Sequence, residues 1–213
     1  MKKLVIFDWD GTLFDSISII QRSLQRSFDD LRLTVPSDEE AKHVIGLGVE
    51  DALQYLCPGL SDFQATRLAL RYRHHYLNLE KDASLFAGVF EALEKLMNSN
   101  SILAVATGKS RKGLERAFDS TKTRNLFHLS RTADETSSKP DPKMLNEILV
   151  ESRIEIDDAV MIGDTIFDIE MARAIGMSNI AVTYGAHSTE KLKGQNPDSL
   201  VASIDELYAR LTS

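Results

Sequence analysis

Short, mainly apolar runs alternate with helical patterns at the start of the chain and through everything after Leu85. The runs occupy residues 4–7, 102–106, 126–129, 159–162 and 180–182. Helical periodicity is found between and after them, over residues 87–97, 111–118, 142–151, 166–175 and 204–211. Continuous apolar strands that alternate with helices are typical of a parallel sheet covered by helices on both faces.

Residues 16–84 contain no strand-like run, and their pattern predicts helices only. Apolar residues recur there at three- and four-residue spacing and mark one helix face: Ile17, Ile20, Leu24, Phe28 and Leu31. Ser16 is the predicted N-cap of this helix. Ser37 and Glu40 form a capping-box pattern that opens a second helix, and Ser61 is expected to open a longer one.

The two patterns together predict an α/β protein in which a Rossmann-like parallel sheet core carries an inserted all-helical cap domain. The core is expected to comprise residues 1–15 and 85–213, and the cap residues 16–84. Active sites in open parallel sheets lie at the carboxyl ends of the strands. A helical insert that follows the first strand is therefore placed to cover such a site and to exclude water from it.

Composition and charge narrow the function classes for this chain of 213 residues. Its net charge is −7, whereas a nucleic-acid-binding protein is usually basic. No apolar stretch reaches the length of about 18 residues that a transmembrane helix needs. Cys57 is the only cysteine, so disulfides cannot hold the fold and a reducing compartment is expected. We therefore expect a cytoplasmic protein that binds neither nucleic acid nor membrane.

Acids, a hydroxyl and a lysine are predicted to meet at the carboxyl edge of the sheet. They are Asp8, Asp10 and Gly11 after the first strand, Thr107 and Gly108 after the second, Lys139 before a helix, and Asp164 and Asp168 after the run at 159–162. Like charges about 4 Å apart repel by roughly 4 kcal/mol at an effective dielectric constant near 20. A divalent cation such as Mg²⁺ would offset this repulsion and, together with the lysine, would attract a phosphoryl group.

Four segments of the sequence, in order, carry a family resemblance. They are DWDGTLFDS, VATGKS, SSKPDP and MIGDTIFDI. They resemble the four motifs of the haloacid dehalogenase superfamily, and the arrangement is similar to its phosphoglycolate phosphatase-like members, whose helical cap lies between the first two motifs. Because four motifs occur in order, each at or near a predicted strand end, the resemblance is specific.

The resemblance implies a phosphatase mechanism. Asp8 would be the nucleophile that forms an aspartyl-phosphate, and Asp10 would be the general acid and then the general base. Thr107 and Lys139 would hold the phosphoryl oxygens. The glycines Gly11 and Gly108 would let backbone amides approach the anion.

The resemblance also implies a magnesium site. Asp8 and Asp164 would be its carboxylate ligands, and the backbone carbonyl of Asp10 would complete the protein ligands. Asp168 would be a further acid near the metal, either binding it directly or supporting the residues that do.

Alternatives to this interpretation remain open. Dehalogenases and phosphonatases lack the second aspartate, so Asp10 argues against them, but sugar phosphomutases keep it. In mutases of this kind a cap loop offers a cation to a second phosphate, and Val49 stands at that position here. A receiver-like or non-catalytic phosphate-binding protein is the alternative of another class. The expected partner is a small phosphorylated metabolite, with 2-phosphoglycolate favoured by resemblance over sugar phosphates, nucleotides and pyrophosphate. Both a monomer and a homodimer are compatible with the sequence.

Overall fold

A single parallel sheet forms the centre of the molecule, seen in a computed structural model that describes residues 2–212. Within those residues the sheet has six strands in the order β3-β2-β1-β4-β5-β6. Their bounds are Leu4–Phe7 (β1), Ile102–Thr107 (β2), Leu129–Thr132 (β3), Ala159–Gly163 (β4), Ser178–Val182 (β5) and Ser199–Val201 (β6). All neighbouring strands pair in parallel. The predicted α/β class with a parallel sheet is thus confirmed.

Helices cover both faces of this sheet, and the first four helices of the chain pack with one another. Their bounds are Ile17–Asp30 (α1), Asp38–His43 (α2), Val49–Leu56 (α3), Asp62–Leu79 (α4), Val89–Asn98 (α5), Arg111–Thr121 (α6), Lys143–Ser152 (α7), Ile166–Arg173 (α8), Thr189–Gly194 (α9) and Ile204–Thr212 (α10). Val5 and Phe7 of β1 pack in one cluster with α5, α6 and α10. Leu4 and Ile6 point to the opposite face and pack with α7 and α8, as alternation along a strand requires.

The edge strands differ from the sequence prediction. A strand was expected at residues 126–129, but residues 124–126 form a 3₁₀ turn and β3 begins at Leu129. Edge strands are only half buried, so their side chains need not be apolar. Ser130 and Arg131 are partly exposed in β3, and Arg131 pairs with Glu147 of α7 at 2.6 Å. The edge strand β6 and the short helix α9 were not predicted at all.

Helices α1 to α4 form their own apolar cluster, which includes Leu24, Phe28, Leu53 and Leu68. The capping box predicted at Ser37 is present, and Ser61 opens α4 as expected, with a capping box of its own. Ser16 is the N-cap residue of α1, as predicted, but its hydroxyl makes no cap hydrogen bond and instead donates to the Asp10 carboxylate.

The two connections between these helices and the sheet lie side by side. Asp15 N donates to Ser84 O at 2.8 Å, and Phe86 N donates to Leu13 O at 3.0 Å. These paired crossings support the proposed division into a core of residues 1–15 and 85–213 and a cap of residues 16–84. Across residues 2–212, no helix combines the length and apolar character needed to cross a membrane.

Candidate active site

The candidate site lies at the carboxyl end of β1, the strand that sits between β2 and β4. Asp8 continues β1, and its backbone N donates to Ile162 O of β4 at 2.8 Å. Asp164 follows β4 directly, and Asp168 lies in the first turn of α8. All three side chains are at least 98% buried. The central position of β1 therefore brings together acids that are far apart in sequence.

These three buried acids, Asp8, Asp164 and Asp168, form a compact cluster in which one oxygen from each lies within 4.8 Å of the others. Asp164 is fixed by Thr12 Oγ1 and by Ala186 N, each of which donates at 2.7 Å. In contrast, neither carboxylate oxygen of Asp8 accepts a hydrogen bond from the described residues. Three clustered buried carboxylates, of which Asp8 has both oxygens unpartnered, fit a divalent cation such as Mg²⁺, which prefers oxygen ligands.

Lys139 is the cation that the chain supplies to this cluster. Its Nζ lies 2.6 Å from Asp168 Oδ1, in hydrogen-bonding geometry, and 2.8 Å from Asp8 Oδ1. The second contact is a close ion pair without hydrogen-bond direction, since Asp8 Oδ1 has no hydrogen-bond partner. Lys139 thus stands beside Asp8 with part of its donor capacity unused.

Burial disfavours the ionised form of the acids in this cluster. It raises the pKa of Asp8 to about 7; Lys139 opposes this shift and Asp168 adds to it. Burial is also the main cause that holds the pKa of Asp164 well above its usual range, followed by the charge of Asp8. For Lys139, burial acts against the charge, but Asp168 and Asp8 outweigh it and raise the pKa of its ammonium. A divalent cation would restore the balance that one lysine does not.

Gly11 is required by the approach of Asp164. Its φ is +82°, in the left-handed region, and a Cβ there would lie 2.3 Å from Asp164 Oδ2. The lack of a side chain at Gly11 therefore makes room for the acid cluster. The sequence had indicated a different reason for this glycine, namely access of a backbone amide to an anion.

A cavity of about 550 Å³ opens above the acid cluster, between the sheet and the cap. Its core wall includes Asp8, Asp10, Thr107 and Gly108, which were all predicted site residues. Its cap wall is largely apolar and includes Ile20, Leu24, Val49, Tyr72 and Tyr76. The other predicted site residues are buried and do not line this cavity; they are Gly11, Lys139, Asp164 and Asp168. Of the nearby acids, Asp8 is thus the one that both faces the cavity and belongs to the buried cluster.

The Asp10 side chain points away from the acid cluster. Its Oδ1 accepts hydrogen bonds from Ser16 Oγ at 2.5 Å and from Lys109 Nζ at 2.8 Å. Sequence reasoning missed Ser16 as a partner, because its position predicts a helix cap. It also missed Lys109, since the basic run that begins there is typical of an exposed helix face. The signal was present, because Lys109 lies within the motif VATGKS.

Comparison with known proteins places the chain in a family. The model of a family described as haloacid dehalogenase-like hydrolase matches residues 5–182. A protein from Dickeya dadantii, named probable phosphatase IndB, is 33% identical over 97% of this chain and 92% of its own length. A phosphoglycolate phosphatase from Aliivibrio fischeri is 29% identical over 99% and 96%, respectively. The crystal structure of a hydrolase from Pseudomonas syringae shares the fold, with a TM-score of 0.91, 23% identity and coverage of 100% and 98%.

Proposed function

The chain belongs to the haloacid dehalogenase-like hydrolase family, and we propose that it is a Mg²⁺-dependent phosphatase that hydrolyses a small phosphomonoester through an aspartyl-phosphate. The observation that carries this proposal is the environment of the Asp8 carboxylate. Both of its oxygens lack a hydrogen-bond partner among the described residues, although the side chain is buried beside Lys139 at the floor of the cavity. An unpartnered carboxylate at the floor of a substrate-sized cavity is suited to act as a nucleophile.

The proposed reaction divides hydrolysis into two transfers. In the first, an Asp8 oxygen attacks phosphorus while the bond to the leaving oxygen breaks, and Asp10 gives that oxygen its proton. In the second, water attacks the phosphorus of the aspartyl-phosphate, Asp10 takes the proton from the water, and the bond to Asp8 breaks to release phosphate. Lys139 and Thr107 would hold the phosphoryl oxygens during both steps.

The residues that would hold Mg²⁺ in this proposal are Asp8, Asp164 and the backbone carbonyl of Asp10. The bound ion would neutralise charge that develops on the phosphoryl oxygens. Asp168 fits a supporting role better than a ligand role, because it is already paired with the Lys139 ammonium, whereas Asp164 accepts only from a hydroxyl and a backbone amide. Oδ1 accepts from Lys139, and Oδ2 accepts from Thr165 N at 3.0 Å and Thr165 Oγ1 at 2.7 Å. Asp168 would thus orient Lys139 toward Asp8.

Among substrates, 2-phosphoglycolate is the compound that we propose first, because a relative named phosphoglycolate phosphatase aligns along almost the whole chain. The test is a phosphate-release screen over a panel of phosphorylated metabolites with Mg²⁺. It should include sugar phosphates, nucleotides and pyrophosphate beside 2-phosphoglycolate. If the protein released phosphate from none of these compounds and from no aryl phosphate, the proposed function would be contradicted.

We predict that the phosphoryl group passes to water and not to a sugar hydroxyl. Val49, Glu50 and Asp51 line the cavity on the cap side, and none of them offers a cation to a second phosphate. Arg73 of α4 is a cap cation that also lines the cavity, but it lies outside this segment. The missing charge-assisted hydrogen bond would contribute about 1.5–3 kcal/mol in a mutase. With β-glucose 1-phosphate and a catalytic amount of the bisphosphate, free phosphate should form faster than glucose 6-phosphate. The reverse order would identify a phosphomutase.

Gly108→Ala should weaken catalysis by holding the cap away from the core. A Cβ on Gly108 would lie 2.5 Å from the backbone oxygens of Gly46 and Leu47 in the cap, so the cap loop must move. A displacement of about 1 Å in an active site can cost up to ~10²-fold, and we expect kcat/KM to fall by roughly tenfold to a hundredfold. Steady-state kinetics would measure this loss.

The matched control for this prediction is Gly194→Ala, because a Cβ at that position would meet no atom within 4 Å apart from its chain neighbours and its own helix backbone. This control should keep wild-type kinetics. Unchanged kinetics in Gly108→Ala as well would show that contact between the cap loop and Gly108 is not needed for turnover.

A further inference from the structure

A buried lysine that the proposed mechanism does not use, Lys109, joins Asp10 to the cap. Its side chain is only 7% exposed, and its Nζ donates to Asp10 Oδ1 at 2.8 Å and to Tyr76 OH at 2.7 Å. Tyr76 belongs to α4, and its ring centroid lies 4.7 Å from the same Nζ. One ammonium group thus contacts both Asp10 in the core and Tyr76 in the cap.

Lys109 lines the cavity, but its contacts leave it little capacity to bind substrate. An ammonium has three donor hydrogens and no acceptor. Two of them are directed at Asp10 and Tyr76, and the Tyr76 ring lies within cation–π distance of the same group. When a buried cation breaks such contacts, the cost in free energy is larger than for an exposed cation, because water does not replace the lost partners. Its position therefore indicates an effect through Asp10.

Asp10 is held through one oxygen only. Oδ1 accepts from both Ser16 and Lys109, whereas Oδ2 has no hydrogen-bond partner within residues 2–212. Asp10 lines the cavity. Two bonds on one oxygen fix the side-chain rotamer and leave the other oxygen available to a bound molecule.

Building on the phosphatase function proposed above, we propose that Lys109 is a positioning residue for the proton-transfer group. It holds Oδ1 of Asp10 so that Oδ2 exchanges the proton with the leaving oxygen, and Tyr76 supplies the cap contact that holds Lys109. Because Tyr76 belongs to the cap, the orientation of Asp10 depends on the cap being docked on the core. Catalytic groups must be held by their supporting contacts to act efficiently.

The test compares Lys109→Met with the wild type on two esters, an alkyl phosphate with a poor leaving group and an aryl phosphate with a good one. General acid catalysis is worth about 10²–10⁴-fold, and it matters most for the poor leaving group. We expect the single-turnover rate on the alkyl phosphate to fall by roughly 10²-fold, and that on the aryl phosphate by less than about tenfold. KM should change by less than about threefold, since no substrate contact is removed.

Two further variants and a control separate positioning from other roles. In an Asp10→Asn background, Lys109→Met should add less than about threefold to the loss, because residues that act as a unit are not additive. Tyr76→Phe should also slow the alkyl phosphate more than the aryl phosphate, but by a smaller factor than Lys109→Met. Lys109→Arg should retain part of the wild-type rate on the alkyl phosphate. The control Lys95→Met removes a lysine that lies 5.4 Å from the Tyr208 ring centroid, outside the cavity, and should leave the rates unchanged.

Three results would overturn the inference while the proposed function stands. They are equal losses on both esters, a full additional loss in the Asp10→Asn background, and an effect confined to KM, which would assign Lys109 to substrate binding. A wild-type protein that hydrolyses neither ester would overturn the proposed function, and this inference with it.

Discussion

Asp8→Asn should reduce kcat by at least ~10³-fold and leave the fold intact, because Asp8 is the carboxylate that both lines the cavity and belongs to the buried acid cluster. The change is nearly isosteric, and Asp8 is 1% exposed. It also removes one negative charge from a cluster in which burial already disfavours ionisation. Phosphate release would measure the rate, and circular dichroism with thermal melting would confirm that the protein remains folded.

A matched control for Asp8→Asn is Asp119→Asn, which makes the same chemical change at an exposed position of α6. That variant should keep wild-type activity and melting temperature. If Asp8→Asn kept activity within tenfold of the wild type, Asp8 could not be the nucleophile.

Removal of divalent metal should abolish activity, and added Mg²⁺ should restore it. Asp8 and Asp164 would lose the ion that offsets their mutual repulsion and the charge on the phosphoryl group. Ca²⁺ should restore little, because it accepts longer bonds and higher coordination and would disturb the in-line geometry. The measurement is phosphate release after chelation, followed by titration of each metal.

A second readout makes the metal prediction independent of turnover. Mg²⁺ should raise the melting temperature of the wild type, since a ligand that binds the folded state stabilises it. The same increase should be absent in Asp164→Asn, which lacks one of the proposed ligands. Full activity in excess chelator, or an equal thermal shift in both proteins, would contradict the proposed metal site.

The sequence predicts the centre of the sheet better than its edges, for a physical reason. Strands β1, β2 and β4 are buried on both faces, so their residues are apolar without interruption. Strands β3 and β6 pair on one side only, and their polar residues give no such signal. The positions of Asp8 and Asp164 follow from the central strands, because parallel strands end at one edge.

The contacts of Asp10 are an example of tertiary contacts that a local sequence pattern does not predict. Ser16 stands where a helix cap is expected, yet its hydroxyl turns to Asp10. Lys109 meets Tyr76 only because the cap docks on the sheet. Such contacts depend on how two separately patterned parts of the chain pack together. The sequence pattern of a single segment therefore cannot predict these contacts.

The pairing of β1 on both sides also has a consequence for synthesis of the chain. Leu4 is made well before its strand partners, which are Ile102 and Ala159. Helices α1 to α4 contact one another over shorter separations in sequence and need neither partner. A growing or truncated chain that ends before β4 therefore contains Asp8 and Asp10 but has no Asp164 to place beside them. The acid cluster can be assembled only after the segment that carries Asp164 and Asp168 has left the ribosome.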